Sequence, residues 1–249
     1  MQQLRNLDPM MYVRALGLFV RNPSIIVVPL LMAIVGVLVS QVSGAAGGGG
    51  GVLGGVASGV GSLTNGLMSF LLVLLNMFGF GAACIIADMA WRRGRASFDE
   101  GWNEARRKGG EILTAAMGFT FVLYLALFAG TLIGNISLIL AAIAIYFLIY
   151  TIPAASIGGV PGGAALNVSI ERARANPLPT IVVAIVSVAL YLFLGVLLAP
   201  FIDILLAPLA FASSSLLRAL LGALVQAIAL SYIALIVTKT YSDISFGRR

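Results

Sequence analysis

Long apolar stretches dominate the chain, and short polar segments punctuate them. Six stretches approach the roughly 20 residues that a helix needs to cross a bilayer: 24–42, 67–90, 111–133, 136–156, 178–200 and 216–239. Between them fall segments of a second kind. YVRALGLFVRNP (12–23), FDEGWNEARRKG (98–109) and LNVSIERARANP (166–177) each precede an odd-numbered stretch. Aligned without gaps, they place apolar residues at Tyr12, Leu16 and Phe19, at Phe98, Trp102 and Ala105, and at Leu166, Ile170 and Ala173. The spacing i, i+4, i+7 marks one helical face, with charges mainly off it. Two copies end in Asn-Pro and one in Lys-Gly, which breaks each helix before the span.

The pattern predicts three parallel units, approximately 10–90, 96–156 and 164–240. Each is an amphipathic helix lying in the membrane interface, followed by a two-span hairpin. The expected fold is an all-α, six-span bundle forming one integral membrane domain. Its basic helix ends, Arg21, Arg106, Arg107, Lys108, Arg172 and Arg174, are candidate contacts for anionic lipid headgroups.

Composition agrees. Of 249 residues, 60% are apolar and 10% charged, against about 25% charged in ordinary soluble domains. The net charge of +6 needs no nucleic acid to explain it. Fourteen of the fifteen Lys and Arg fall on one side of the six-span arrangement, and only Arg218 on the other. The positive-inside rule then puts both termini in the cytoplasm. Arg5, Arg14 and Arg21, followed by 24–42 and Ser43-Gly44-Ala45, also resemble a signal peptide; the expectation is a retained span. The chain has no histidine, which excludes Ser-His-Asp and Cys-His catalysis and the common zinc sites. No cofactor or metal is expected. The single Cys84, inside an apolar run, reads as a small core residue.

Polar residues within the apolar stretches are few. Asn76 and Gln226 stand mid-span, as do Thr120 and Ser187; helix–helix hydrogen bonding is the expected role, and a substrate path the alternative. Asp88 precedes Trp91-Arg92-Arg93 and reads as one half of an interfacial ion pair, with a proton or cation relay as the sharper reading. Glu111 falls in the first turn of its helix, where a carboxylate suits the positive end. Trp91, Trp102 and Tyr241 are expected interface anchors. Pro200 and Pro208 bracket an apolar piece too short to cross, which contains Asp203; Asp203 and Arg218 are the charges assigned outside.

Residues 43–62, SGAAGGGGGVLGGVASGVGS, contain ten glycines. No Lys-Ser or Lys-Thr follows, so the run is not a phosphate-binding loop. Either it is a slack extracytoplasmic linker, or its later part extends the second span as a helix with Gly51, Gly55 and Gly59 on one packing face.

The segments Ala15-Leu16-Gly17-Leu18-Phe19-Val20-Arg21-Asn22-Pro23 and Glu171-Arg172-Ala173-Arg174-Ala175-Asn176-Pro177, each feeding a hairpin, resemble the bacterial membrane proteins related to the membrane domain of glycerophosphodiester phosphodiesterases. The resemblance implies a multi-pass module of the bacterial inner membrane. It implies no catalysis, since the phosphodiesterase barrel has no counterpart here. The expected function is non-enzymatic: a scaffold, assembly factor or subunit of a membrane complex, partnered by lipid and by other membrane proteins or copies of itself. A small-solute transporter or channel, and a lipid-binding or membrane-shaping protein, are the alternatives.

Overall fold

The computed structural model describes residues 8–46, 54–133, 136–194, 204 and 215–247, with side chains placed for 8–39, 67–133, 136–194, 204 and 216–247. Among the described residues the protein is all-helical, without a strand. In chain order the helices are α1 (Met10–Arg21), α2 (Ser24–Ala46), α3 (Gly54–Arg93), α4 (Phe98–Arg107), α5 (Gly109–Leu132), α6 (Ser137–Leu148), α7 (Thr151–Ser156), α8 (Gly162–Ala175), α9 (Pro177–Leu192) and α10 (Ser215–Phe246).

Four segments are long and apolar enough to cross a membrane: Leu67–Arg93, Gly109–Leu132, Ser137–Ser156 and Leu216–Phe246. Two bent pairs raise the number to six if each is one span. Met10–Arg21 meets Ser24–Val39 at 76°, and Gly162–Ala175 meets Pro177–Leu192 at 111°. Both bends fall at Asn-Pro, where proline disfavours helical backbone in the residue before it. Asn22 (φ −127°, ψ 70°) and Asn176 (φ −133°, ψ 65°) adopt nearly the same conformation. Each donates its side-chain amide to the carbonyl four residues earlier, Leu18 at 2.9 Å and Arg172 at 3.3 Å. Lys108, at the second corner in chain order, turns differently (φ −93°, ψ 10°), consistent with the glycine rather than proline that follows it.

The core lies in the half of the bundle next to these corners. On α3, Ala82, Ala83, Cys84, Ile86, Ala87 and Ala90 are all inaccessible, as are Ala234–Val237 on α10. Small side chains let the two helices and their neighbours approach closely. Gly79 illustrates this: a Cβ there would lie 3.1 Å from Met32 and 3.4 Å from the Pro29 backbone on α2. Toward the other end, α5 presents Phe121, Leu125, Phe128 and Leu132 outward, each more than half exposed. Such a row suits acyl chains and not water.

The three corner helices α1, α4 and α8 differ from one another. On α1, Met11 and Ala15 face inward, as does Asn22 just past its end; Val13, Leu16 and Val20 form an exposed apolar sector, and Arg14 and Arg21 occupy a third. The predicted face of Tyr12, Leu16 and Phe19 therefore straddles two sectors, with Tyr12 and Phe19 half-buried. On α4, Phe98 and Trp102 pack against each other and Phe78, and the outer residues Asp99, Glu100, Asn103, Arg106 and Arg107 are all polar. On α8 the outer face carries Asn167, Glu171 and Arg174 between alanines. An apolar sector available to lipid belongs to α1 alone among these three.

The glycine-rich segment divides. Residues 54–66 continue α3 as helix, so Gly55 and Gly59 fall on the helical extension. Gly51, like Asp203 and the short segment around it, lies outside the described residues.

Candidate functional site

Most of the described ionisable groups gather at the corner end of the bundle. Helix α3 closes at Gly94, whose φ of +72° only glycine adopts freely and whose N–H returns to the Ala90 carbonyl at 2.9 Å. The turn this makes is held from the first corner. Asn22, 4% exposed, accepts from the Ala96 N–H at 2.8 Å, and the Ser24 hydroxyl donates to the Ala96 carbonyl at 3.1 Å.

The second corner clasps the connection between α7 and α8. Lys108 donates to the Ser156 carbonyl at 2.8 Å, at the C-terminus of α7. Glu111 accepts the Gly162 N–H at 2.5 Å, at the N-terminus of α8. A cation thus meets a helix C-terminus and a carboxylate an N-terminus, the signs that helix dipoles favour. Glu104 pairs with both Arg107 at 2.5 Å and Lys108 at 3.2 Å. Burial pushes its carboxyl up, but these two partners outweigh burial and hold it below the ordinary glutamate range.

The third corner closes on a break in the candidate span Ser137–Ser156. Between α6 and α7 the helix is interrupted at Ile149–Tyr150, ahead of Pro153. Ser169 of α8, fully buried, bridges the break: it accepts from the Tyr150 N–H at 3.1 Å and donates to the Phe147 carbonyl at 2.8 Å. The Tyr150 hydroxyl donates to Thr180 at 3.2 Å, and Thr180 donates to the Asn176 carbonyl at 2.7 Å.

Between these clasps lie two adjoining cavities. The larger, about 490 Å³, is lined by Asp88, Trp91 and Arg92 of α3 and by Lys239, Ser242 and Asp243 of α10, with Phe246 at its edge. The smaller, about 300 Å³, lies toward α4 and α7 and shares Asp88 and Arg92. Asp88 bonds Arg92 at 2.9 Å, an ion pair with one of the arginines that follow it. Lys239 bonds Asp243 at 2.7 Å and lies 5.7 Å from the centre of the Trp91 ring.

Several expected roles are replaced by others. Trp91 donates its indole N–H to the Leu235 carbonyl of α10 at 3.0 Å, and Tyr241 is 2% exposed beside Tyr150, so the Trp91 N–H is engaged within the bundle and Tyr241 is a core residue. Asn76 bonds its own helix, at Leu72, at 2.9 Å, and its carbonyl oxygen finds no partner; it does not join Gln226, which is half-buried on α10. Thr120 and Ser187 are buried with their hydroxyls unpartnered. Among the proposed lipid contacts, Arg21, Arg106, Arg107 and Arg174 are exposed, Arg172 is half-buried, and Lys108 is engaged within the protein. Among the described residues no group of His, Cys, Asp and Glu has the geometry to hold a metal ion. Sequence reasoning missed Asn22, Ser169 and the Lys239–Asp243 pair. The i, i+4 spacing of that pair was its one readable signal.

No family model, curated protein or solved structure matches this chain.

Proposed function

We propose that the protein is a non-enzymatic scaffold or subunit of a membrane complex, a six-span bundle of three parallel hairpin units with both termini in the cytoplasm of a bacterium. In this reading it is of the kind that resembles the membrane domain of glycerophosphodiester phosphodiesterases. The observation that carries it is the interlocking of the corners. Asn22 holds the turn at 94–96, Lys108 and Glu111 hold the two sides of the α7–α8 connection, and Ser169 holds the break at Tyr150. Each clasp joins one unit to another or fixes a unit's own bend. A device that alternates between two arrangements would have to break several of them together. A rigid end instead suits a platform, with the polar outer faces of α4 and α8 turned toward a partner.

The matching Asn22 and Asn176 corners support the repeat. So does the inward position shared by Ala15, Gly101 and Ser169 in the three aligned segments. Purification from native membranes in mild detergent, with a photo-crosslinking residue at Asn103 or Asn167, tests the reading. The expected result is a defined adduct with another membrane protein or a second copy. A monodisperse monomer with no co-purifying protein and no adduct would sink it.

A second reading is favoured by α1. Its exposed Val13, Leu16 and Val20, beside Arg14 and Arg21, suit a helix lying at the boundary between acyl chains and anionic headgroups. If Arg14→Glu with Arg21→Glu leaves association with anionic vesicles unchanged, the lipid reading fails.

A further inference from the structure

The larger cavity at the corner end has a composition that defines a ligand. Among the described residues two carboxylates, Asp88 and Asp243, and two cations, Arg92 and Lys239, line it, so the described wall is electrically balanced. Asp88 and Asp243 are only 15% and 12% exposed, and Lys239 28%. An anion that drew Arg92 or Lys239 away would leave Asp88 or Asp243 largely buried and uncompensated, and a cation that drew Asp243 away would leave Lys239 so, which is unfavourable; Arg92, 60% exposed, is the one charge that water can compensate. A ligand carrying both signs exchanges partners instead. Its anionic group takes the place of a carboxylate beside Arg92 and Lys239, and its cationic group takes the place of a cation beside Asp88 and Asp243.

Two further features narrow the chemistry. Ser242 lines this wall, and its hydroxyl oxygen is buried with no hydrogen-bond partner in the protein; a rotation of the side chain toward the cavity would let it donate to a phosphate oxygen. Lys239 covers one face of Trp91, which leaves Phe246 as the other aromatic ring among the described lining residues, too few for the cage that holds a quaternary ammonium. A primary ammonium needs none, because its three N–H donors reach carboxylates directly. The cavity also sits at the ends of two candidate spans, Leu67–Arg93 and Leu216–Phe246, at the depth where headgroups lie if those helices cross.

We propose that this cavity binds a phosphate joined by a short spacer to a primary ammonium, the chemistry of an ethanolamine phospholipid headgroup. The phosphate lies between Arg92, Lys239 and Ser242, and the ammonium between Asp88 and Asp243. The site is independent of the scaffold reading, and its test does not depend on any protein partner.

The full chain in neutral maltoside detergent is unfolded thermally with added dioleoyl phosphatidylethanolamine, phosphatidylcholine or phosphatidylglycerol, and with soluble glycerophosphoethanolamine. The ethanolamine lipid is expected to raise the transition temperature above the shifts given by choline and glycerol lipids. In Lys239→Ala/Asp243→Ala, which keeps the wall neutral, that excess falls to zero. Should the double variant not fold, Ser242→Ala carries the test, and the excess is expected to shrink. A shift from the soluble headgroup as well as the lipid identifies a headgroup site open to water, and a shift from the lipid alone a site filled from the bilayer; either supports the proposal. Equal shifts from the three lipids with none from the soluble headgroup, or an excess unchanged in the variants that fold, overturns it.

Discussion

Replacing Ser169 with alanine removes one hydroxyl and orphans two backbone groups. The Tyr150 N–H loses its acceptor at 3.1 Å, and the Phe147 carbonyl loses its donor at 2.8 Å. Both lie at the helix break, where the ordinary i→i−4 partners are unavailable, and Ser169 is fully buried, so water cannot substitute. Interhelical hydrogen bonds in membrane proteins average only about 0.6 kcal/mol, because the unfolded state finds partners too; two would sum to about 1.2 kcal/mol. That average describes groups that can be satisfied elsewhere. A buried group left without any partner costs about 1–3 kcal/mol. Two such groups, partly relieved by local relaxation, give an expected loss of about 2–4 kcal/mol. Tyr150→Phe is the internal comparison. It removes one bond of 3.2 Å, and Thr180 still donates to Asn176 at 2.7 Å, so about 1 kcal/mol is expected. Reversible denaturation in mixed micelles, followed by tryptophan fluorescence, measures both. A loss below about 1 kcal/mol for Ser169→Ala, or a larger loss for Tyr150→Phe, would refute the bridging role.

The clasp on the α7–α8 connection gives a second expectation: Glu111→Ala leaves the Gly162 N–H without its acceptor and costs about 1.5–3 kcal/mol, while Glu111→Gln retains an acceptor and costs about 1 kcal/mol or less. The same denaturation assay ranks them, and equal effects would contradict the geometry. Two neighbouring glycines provide a contrast. A Cβ on Gly162 meets the Glu111 carbonyl and Thr114, whereas one on Gly163 meets nothing within 4 Å. Gly162→Ala should therefore destabilise by about 1–3 kcal/mol, and Gly163→Ala should be neutral or stabilise by up to about 1 kcal/mol. The fourth concerns acid. The Glu104 carboxyl is held below its ordinary 4.5, so its contribution is complete above that value and is lost as pH falls through the lower folded-state value. Glu104→Gln should flatten this part of the acid limb of stability against pH, and an unchanged limb would show that the pairs with Arg107 and Lys108 contribute nothing.

What was legible in the sequence follows from what periodicity encodes. Apolar length and corner punctuation located the long helices, because a span must be apolar along its whole length and proline restricts the residue before it. Cys84 read correctly as core for the same reason: its run offers it nothing polar. Tyr241 was misread, and the bond from Trp91 to Leu235 went unseen, because an aromatic residue near the end of a span has the same sequence signature whether it meets headgroups or a neighbouring helix. Asn76 was misread because a mid-span amide can satisfy itself on its own backbone, as it does at Leu72. Ser169 was invisible. Its importance arises from a break nineteen residues earlier in the chain, and no local pattern connects the two.

The three corner segments show why a shared pattern does not imply a shared surface. Their inward positions coincide, at Ala15, Gly101 and Ser169, and all three are buried. These residues are small because a neighbouring helix lies close; a Cβ on Gly101 would run into Ile86. What differs is the outer side. On α1 it divides between apolar and basic residues, while on α4 and α8 no large apolar residue is exposed. A lipid-facing sector would be wasted on a helix that sits above its own bundle, and a fully polar face would be costly on one that lies along the flank at acyl depth. Drift of the outer residues with the inner register kept is therefore what a tandem unit would show if one copy lies against the membrane and the other two turn toward water. The inward register then preserves the interlocks, and the outer residues are left free to be shaped by whatever each unit meets.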